Sequence, residues 1–470
     1  MSGYRTFAKN VGVLTIANFG TRLLSFLLVP LYTSILTTAD YGTYDLVYNT
    51  VSVLIPIFTS NIVDAVLRFS IDENADGENI IGIGLKYFAI SIGIVCVVLI
   101  ANAVFSISAE LTKLSPYIVF MFATQALSQI LLYYARGVNR FTDVAISSVL
   151  CSATIIASNI VFLVILQMNL TGYFLANFAG PAVQIIYLMV RLKIKIPKMG
   201  CFDRALEREM VFYSRPLIAN SIAWWINNVS DRYIVTAFCG VAVNGVYSVA
   251  SKIPSILSVF QTIISQAWTI SAVDEFDPED KRGFFSNVYS LYNCVMVVIC
   301  SLIIALDIPL ARLLYANDFF EAWRYVPFLT IAIVFGALAG FTGGILAAVR
   351  DSKEFARSST IGAVVNIALN ILTVPIVGPL GSAAATAVSY WLTWLIRIKA
   401  IKKYIKLKTA RARDGVSYIV LVLQGILLLA LADYRVVMYT VQIMCVFIIT
   451  VIYSKEIRRV LSRVNKAVRG

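Results

Sequence analysis

Apolar runs of about 18 to 25 residues recur from end to end of this chain, each long enough to cross the hydrocarbon of a bilayer as a helix. The polar gaps between them are mostly short. The pattern predicts spans at about 11–36, 43–66, 82–104, 116–134, 144–167, 170–190, 212–239, 245–270, 288–306, 324–348, 360–378, 380–397, 416–432 and 436–453. Gaps such as Gln167 to Leu170 and Gly378 to Leu380 are so tight that their flanking segments form antiparallel hairpins. The run from Val11 follows Arg5 and Lys9 and is too long for a signal-peptide core, so it reads as a retained span. The expected fold class is an all-α membrane protein of about fourteen transmembrane helices.

The first half of the pattern lies over the second. Ala17-Asn18 matches Ala219-Asn220, and Tyr41-Gly42-Thr43-Tyr44 matches Asn244-Gly245-Val246-Tyr247. Ser147-Ser148 and Asn159-Ile160 match Ser358-Ser359 and Asn370-Ile371, and the turns at Gly172 and Gly381 correspond. Two six-helix lobes are expected, at 1–200 and 201–405. Residues 406–470 add two unmatched spans and a basic tail. An even number of spans per lobe gives both the same orientation, a parallel repeat about the membrane normal. Such lobes enclose a cleft that opens to either side as they rock. The alternative is a duplication that only stabilises a bundle.

Composition sharpens the picture. Of 470 residues, 59% are hydrophobic and only 14% charged, where a soluble domain carries about a quarter charged. The formal net charge of +13 raises nucleic acid as a partner, but its placement argues against one. With the N-terminus inside, the inner loops hold most of the basic residues, including Arg191, Lys193, Lys195, Lys198, Arg204 and Arg208 after span six. Lys399, Lys402, Lys403, Lys406, Lys408, Arg411 and Arg413 follow span twelve. The outer loops offer Lys113, Arg312, Arg324 and Arg435. This is the positive-inside bias, which puts both termini in the cytoplasm. The acidic inner loop from Asp72 to Glu78 runs against the trend, but acids weigh little in it.

A few charges remain within the spans. Lys86, Arg215, Asp45 and Asp64 lie close to predicted ends, where snorkelling to the interface is the plain reading. Arg22, Asp231, Arg232 and Lys252 lie deeper. At 1.5 Å per residue, Arg232 and Lys252 are roughly 10 Å below the outer surface. A charge there costs about 3 kcal/mol or more unless it meets a partner or a wet cavity. One reading is an interhelical ion pair, Asp231 with Lys252, locking spans seven and eight. The other is a cationic cavity for an anionic head group, since arginine grips phosphate bidentately. Asn18 and Asn220 occupy matching positions that suit contact with such a cargo. Arg68 suits a guard at the inner mouth. Asn159 and Asn370 read as contacts between helices. Trp224, Trp225 and Tyr233 offer flat faces to a sugar or belong to an interfacial belt. Pro30, Pro56, Pro216, Pro254 and Pro375 are expected to bend their spans.

Some chemistry is missing. The chain has no histidine, which removes the commonest general base and zinc ligand. Its seven cysteines are scattered and form no CxxC pair. There is no G-x-x-x-x-G-K-[ST] phosphate loop. The longest outer loop, Asp307 to Trp323, is short for a membrane polymerase or glycosyltransferase. No cofactor or metal and no enzymatic activity are expected, and a membrane-embedded glycosyltransferase is disfavoured.

Three stretches carry a family resemblance. They are Ser230-Asp231-Arg232-Tyr233-Ile234-Val235, Tyr247-Ser248-Val249-Ala250-Ser251-Lys252, and NIALNILTVPIVGPLGSAAAT from Asn366 to Thr386. The chain resembles the bacterial oligosaccharide-lipid flippases, which handle O-antigen and other polysaccharide repeat units, of the multidrug/oligosaccharidyl-lipid/polysaccharide exporter superfamily. It departs mildly where Ser382 replaces the usual alanine and Gly378-Pro379-Leu380 replaces a more polar turn. The resemblance implies a V-shaped pair of six-helix bundles in the bacterial inner membrane, working as a monomer. It implies transfer of an undecaprenyl-diphosphate-linked oligosaccharide from the inner to the outer leaflet, alongside a polysaccharide polymerase and chain-length machinery. On this expectation Arg22, Arg232 and Lys252 hold the diphosphate with Arg215 and Asp231 nearby, and Asn18 and Asn220 contact it or the first sugar. Asp64, Arg68 and Lys86 are gate or coupling candidates. The runner-up is a cation-coupled multidrug or metabolite exporter of the same superfamily. Such exporters usually carry acids in the cavity, whereas the deep charges here are mostly basic.

Overall fold

The computed structural model describes residues 26–72, 76–194 and 203–458. The described residues are all-helical, with no strand among them. In the first half the helices are α1 (Val29–Ile35), α2 (Thr38–Phe58), α3 (Ile62–Ser70), α4 (Gly77–Val104), α5 (Ala109–Gly137), α6 (Phe141–Asn159) and α7 (Asn169–Arg191). A π-helical turn, Ile160–Ile165, prolongs α6. The long α8 (Arg204–Cys239) leads into α9 (Val241–Ala250), α10 (Ser255–Asp274), α11 (Phe284–Ala305) and α12 (Asp307–Leu314). Then come α13 (Val326–Ala348), α14 (Ser352–Val377), α15 (Pro379–Ala400), α16 (Arg411–Ala430) and α17 (Arg435–Ile452).

Nine of the described helices are long and apolar enough to cross a membrane, and a tenth span is formed if the bent pair α2–α3 is one crossing. The single straight spans expected at 43–66 and 245–270 are each two helices. Between α2 and α3 the chain bends by 62°. Ser60 and Asn61 there take φ of 52° and 50°, left-handed values that end a right-handed helix. Pro56, expected to cause the bend, sits three residues before it, within α2. Between α9 and α10 the break is the turn Ser251–Pro254, and Pro254 caps the second piece. Pro216, by contrast, lies inside the unbroken 36-residue α8. Most of predicted span one, with Asn18 and Arg22, lies outside the described residues.

Local sequence explains several helix starts. Thr37 and Asp40 form a capping box at α2, and Asp76, Ser108 and Asp351 each accept a first-turn backbone N–H at α4, α5 and α14. The chain divides into two compact units, Met1–Val229 and Ser230–Gly470. The expected boundary near residue 200 concerns the repeat; the packing boundary falls within α8. In the first unit α5 lies at the centre, against α2, α3, α4, α6 and α7. In the second, α13 takes that place, against α10, α11, α14 and α15. Gly343 and Gly344 let neighbours close on α13, since a Cβ at either would come within 2.7 Å of Arg397 or Trp268.

The helix starts repeat as the sequence pattern does. α2 and α9 begin 203 residues apart, and α6 and α14 begin 211 apart. The turns before the latter pair hold non-glycine residues at the same offset, Asn139 and Arg350, both with φ of 59°. α16 and α17 pack on α11. Their ties are polar: Ser301 Oγ donates to Gln424 Oε1 at 2.8 Å, and Gln442 Nε2 donates to the Gln424 carbonyl at 3.2 Å. Asn293 accepts from the Tyr418 hydroxyl and donates to that of Tyr453, both at 3.0 Å.

Candidate functional site

In the first unit the site is built on the first half of α8. Two side chains fasten that segment to α2 and the bend. Ser214 Oγ donates to the Ser60 carbonyl at 2.8 Å, and the Trp225 indole N–H donates to the Asn49 carbonyl at 2.8 Å. Ser60 lies at the bend, where helical bonding lapses, and Asn49 lies within α2. Lys86 Nζ on α4 reaches both carboxylate oxygens of Glu207, at 2.8 and 2.9 Å. Beside this pair opens a cavity of about 900 Å³ lined by Tyr87, Arg204, Glu207, Arg208, Phe212 and Arg215, among others. Its cations outnumber its acids among the lining side chains, which also include Glu209. Arg215 is exposed there, one residue before Pro216.

In the second unit the site joins the end of α8 to α9 and α15. The Tyr247 hydroxyl donates to Asp231 Oδ2 at 2.8 Å and accepts from Ser382 Oγ at 3.2 Å. Arg232 Nη1 donates to Ser248 Oγ at 3.0 Å. Tyr247, Ser248 and Ser382 are all buried. Adjacent residues on a helix point about 100° apart, and here each finds its own hydroxyl on α9. This replaces the expected Asp231–Lys252 ion pair. Lys252 makes no ion pair among the described residues; it lies in the turn Ser251–Pro254, at the break between α9 and α10. The family-like departure at Ser382 acquires a reason, since an alanine there has no hydroxyl to give Tyr247.

The structure brings Asp231 and Arg232, at the end of α8, against α9, and sets Lys252 in the turn that follows α9. Arg215 lines the first-unit cavity with Lys86's partner Glu207. The Asn220 side chain is exposed and makes no hydrogen bond among the described residues. Asn18 and Arg22 lie outside the described residues. Asp64 accepts from Asn61 at 2.7 Å, a local contact at the start of α3. Arg68 pairs with Asp72 at 2.8 Å with both side chains more than half exposed. Trp224 is exposed, as a lipid-facing residue would be. Asn159 and Asn370, expected to bridge helices, instead donate to their own helices' carbonyls four residues back, at 2.8 and 2.9 Å.

The sequence gives no role to Glu207 or Arg397, and it marks Tyr247 and Ser248 only as part of the family-like stretch. Arg397 looked like the end of span twelve, yet it is only 5% exposed. Its guanidinium donates to Ser358 Oγ, Ser359 Oγ and the Ala339 carbonyl at 2.9, 2.7 and 2.8 Å, tying α13, α14 and α15. The signal for Tyr247 was present, since it matches Tyr44 in the repeat. Among the described residues no group of three or more Cys, Asp or Glu side chains is arranged to hold a metal ion.

The model of the family described as polysaccharide biosynthesis protein matches residues 7–270. A curated relative, the uncharacterized membrane protein MJ1068 of Methanocaldococcus jannaschii, is 21% identical over 305 residues. That match takes in 60% of this chain, and the chain spans 59% of the relative's length. Among solved structures, the fold is similar to the lipid II flippase MurJ in an inward closed conformation. The TM-score is 0.66 at 17% identity, covering 94% of this chain and 99% of that one. It is also similar to an inward-facing multidrug resistance transporter of the MATE family, with a TM-score of 0.66 at 13% identity, covering 83% and 99%.

Proposed function

The chain belongs to the polysaccharide biosynthesis protein family, and on that premise we propose that it is a flippase for a polyprenyl-diphosphate-linked oligosaccharide, moved from the cytoplasmic to the outer leaflet by alternating access. One observation carries the reading: the basic side chains of the second-unit cluster exceed its acids, and its one carboxylate, Asp231, is already engaged by Tyr247. Arg232 donates to Ser248, and Lys252 stands at a helix break. A diphosphate cannot cross hydrocarbon unaided. Cations held at depth replace its water shell, while the polyprenyl tail stays among the lipids. Arg215, with Arg204 and Arg208 in the first-unit cavity, offers the same chemistry. Asn18, Asn220 and Arg22 complete the proposed contacts, with Asp64, Arg68 and Lys86 as gate or coupling groups. The chain carries out no covalent chemistry in this reading. It works in the inner membrane as a monomer with both termini cytoplasmic, handing cargo to a polymerase.

The test is deletion followed by analysis of lipid-linked sugars by leaflet. Accumulation on the cytoplasmic side is expected, and its absence overturns the reading. Arg232→Ala and Lys252→Ala are expected to reduce export at least about ten-fold, with Arg232→Lys and Lys252→Arg retaining part of it. Full complementation by the alanine variants removes both residues from the site.

The second reading is a cation-coupled exporter, supported by the fold likeness to the MATE transporter. It predicts that vesicles holding the protein exchange protons or sodium for a cationic drug, and that Asp231→Asn abolishes this exchange. The flippase reading predicts no such exchange.

A further inference from the structure

A second cavity, of about 300 Å³, lies in the second unit between α15, the start of α16 and α11. None of the residues discussed above for transport lines it. Along α15, Trp391, Trp394, Leu395 and Ile398 present one apolar face, at the spacing of one side of a helix. Lys399 and Lys402 follow on the next turn, and Arg411 faces them from the start of α16. All three cations are exposed and make no ion pair among the described residues. Trp391 is 41% exposed and stands eight residues before Lys399, about 12 Å deeper along the helix axis.

Two further observations mark the cavity as built for an occupant. Tyr289, 1% exposed, lines it with a hydroxyl that lies beside the Tyr418 hydroxyl and the Trp394 indole N–H, so the apolar wall carries a small group of polar atoms. Gly415, at the opposite wall, has no atom within 4 Å of where a Cβ would stand, so the space is open rather than collapsed. One acid, Asp414, also lines the cavity, but its Oδ1 is taken by Arg413 at 3.0 Å and by the Tyr453 hydroxyl at 3.2 Å.

We propose that this cavity is a binding site for a phospholipid with a net-negative head group. The phosphate meets Lys399, Lys402 and Arg411, and head-group hydroxyls or ester oxygens accept from Tyr289 and Trp394. The acyl chains run along Trp391. The gradient from cations to tryptophan over about 12 Å matches the step from head group to acyl region. Basic pockets between membrane helices are a common seat for anionic lipid. A free phosphate shares the head-group chemistry but has no use for the tryptophan wall.

The full chain, purified in detergent, is to be incubated with phosphatidylglycerol or with phosphatidylcholine of the same acyl chains, and the lipid retained counted by native mass spectrometry. Retention of phosphatidylglycerol is expected to exceed that of phosphatidylcholine by about ten-fold. The triple variant Lys399→Gln/Lys402→Gln/Arg411→Gln is expected to lose that preference, and Gly415→Leu, which fills the space, to lose retention. Lys403→Gln removes a neighbouring charge that is engaged with Asp351 at 2.9 Å, outside the cavity, and is expected to leave retention unchanged. Size-exclusion and helical circular dichroism identify folded variants. Equal retention of the two lipids overturns the proposal. So does a loss on Lys403→Gln equal to that of the triple variant, or displacement of the lipid by millimolar inorganic phosphate.

Discussion

Arg397 holds a charge where water does not reach, and it does so without a carboxylate. Its donors end on two serine hydroxyls and a backbone carbonyl, and its plane lies over the Phe355 ring, 4.2 Å from the centroid. Hydrogen bonds to a charged group contribute more than neutral ones, and removing the guanidinium strands its acceptors in a packed interior. Arg397→Ala is expected to destabilise the protein by about 3 kcal/mol, read as a fall in melting temperature in detergent. Arg397→Lys recovers little of it, because a point charge cannot reach three acceptors at once. Asp351, outside the spans, behaves in the opposite way. Its hydrogen bond from Lys403, then that from Tyr404, hold its carboxyl down to about 2. The folded value lies below the unfolded one of about 3.9, so the stabilisation is present above that value and is lost as pH falls through about 2. Melting temperature followed from pH 5 downwards is expected to decline, and Asp351→Asn to decline less. Neither residue announced its role in the sequence. Arg397 sat at the end of an apolar run, where snorkelling is the ordinary outcome, and only the rotation of α15 decides which way it points.

Helix positions were legible because hydropathy demands them, since a run of apolar residues has one way to satisfy its backbone in lipid. The breaks were less so. The bend between α2 and α3 turns on left-handed Ser60 and Asn61, and no glycine marks that place. The partners of Asp231 and Arg232 were hidden for a related reason. A hydroxyl such as Tyr247 or Ser248 carries no charge for a count to find, and its reach depends on helix rotation. The repeat, in contrast, was readable at matched residues such as Tyr44 and Tyr247, and the structure extends it to turn geometry in the matched φ of Asn139 and Arg350. The bend has a mechanical consequence. Ser214 and Trp225 tie the first half of α8 to α2 at two carbonyls, one of them at the bend itself. Ser214→Ala and Trp225→Phe are each expected to cost about 1 kcal/mol, and the Ser214 change to loosen the bend in particular. Hydrogen exchange across residues 56–64 measures this. Faster exchange is expected for Ser214→Ala, and for Trp225→Phe faster exchange around residue 49 instead.

At the scale of the whole chain, the asymmetry of charge bears on orientation. Within the described residues the loop after α15 carries Lys402, Lys403, Lys406 and Lys408, with Arg411 opening α16, while the turn between α16 and α17 carries only Asp433 before Arg435. Loops rich in lysine and arginine stay on the cytoplasmic side, because translocating them against the membrane potential and the anionic inner leaflet is unfavourable. On that rule the loop after α15 is expected inside, and with it the cavity flanked by Lys399, Lys402 and Arg411, with Ala316 to Trp323 and Asp433 expected outside. The direction of export proposed for the chain depends on this orientation. Single cysteines at Thr409 and Asp318, in a background with the seven native cysteines replaced, test it with a membrane-impermeant maleimide. Labelling of Asp318→Cys in intact cells, and of Thr409→Cys only after permeabilisation, is expected. The reverse pattern inverts the orientation, and an inverted chain would present its basic cavities to the wrong leaflet for a cargo made in the cytoplasm.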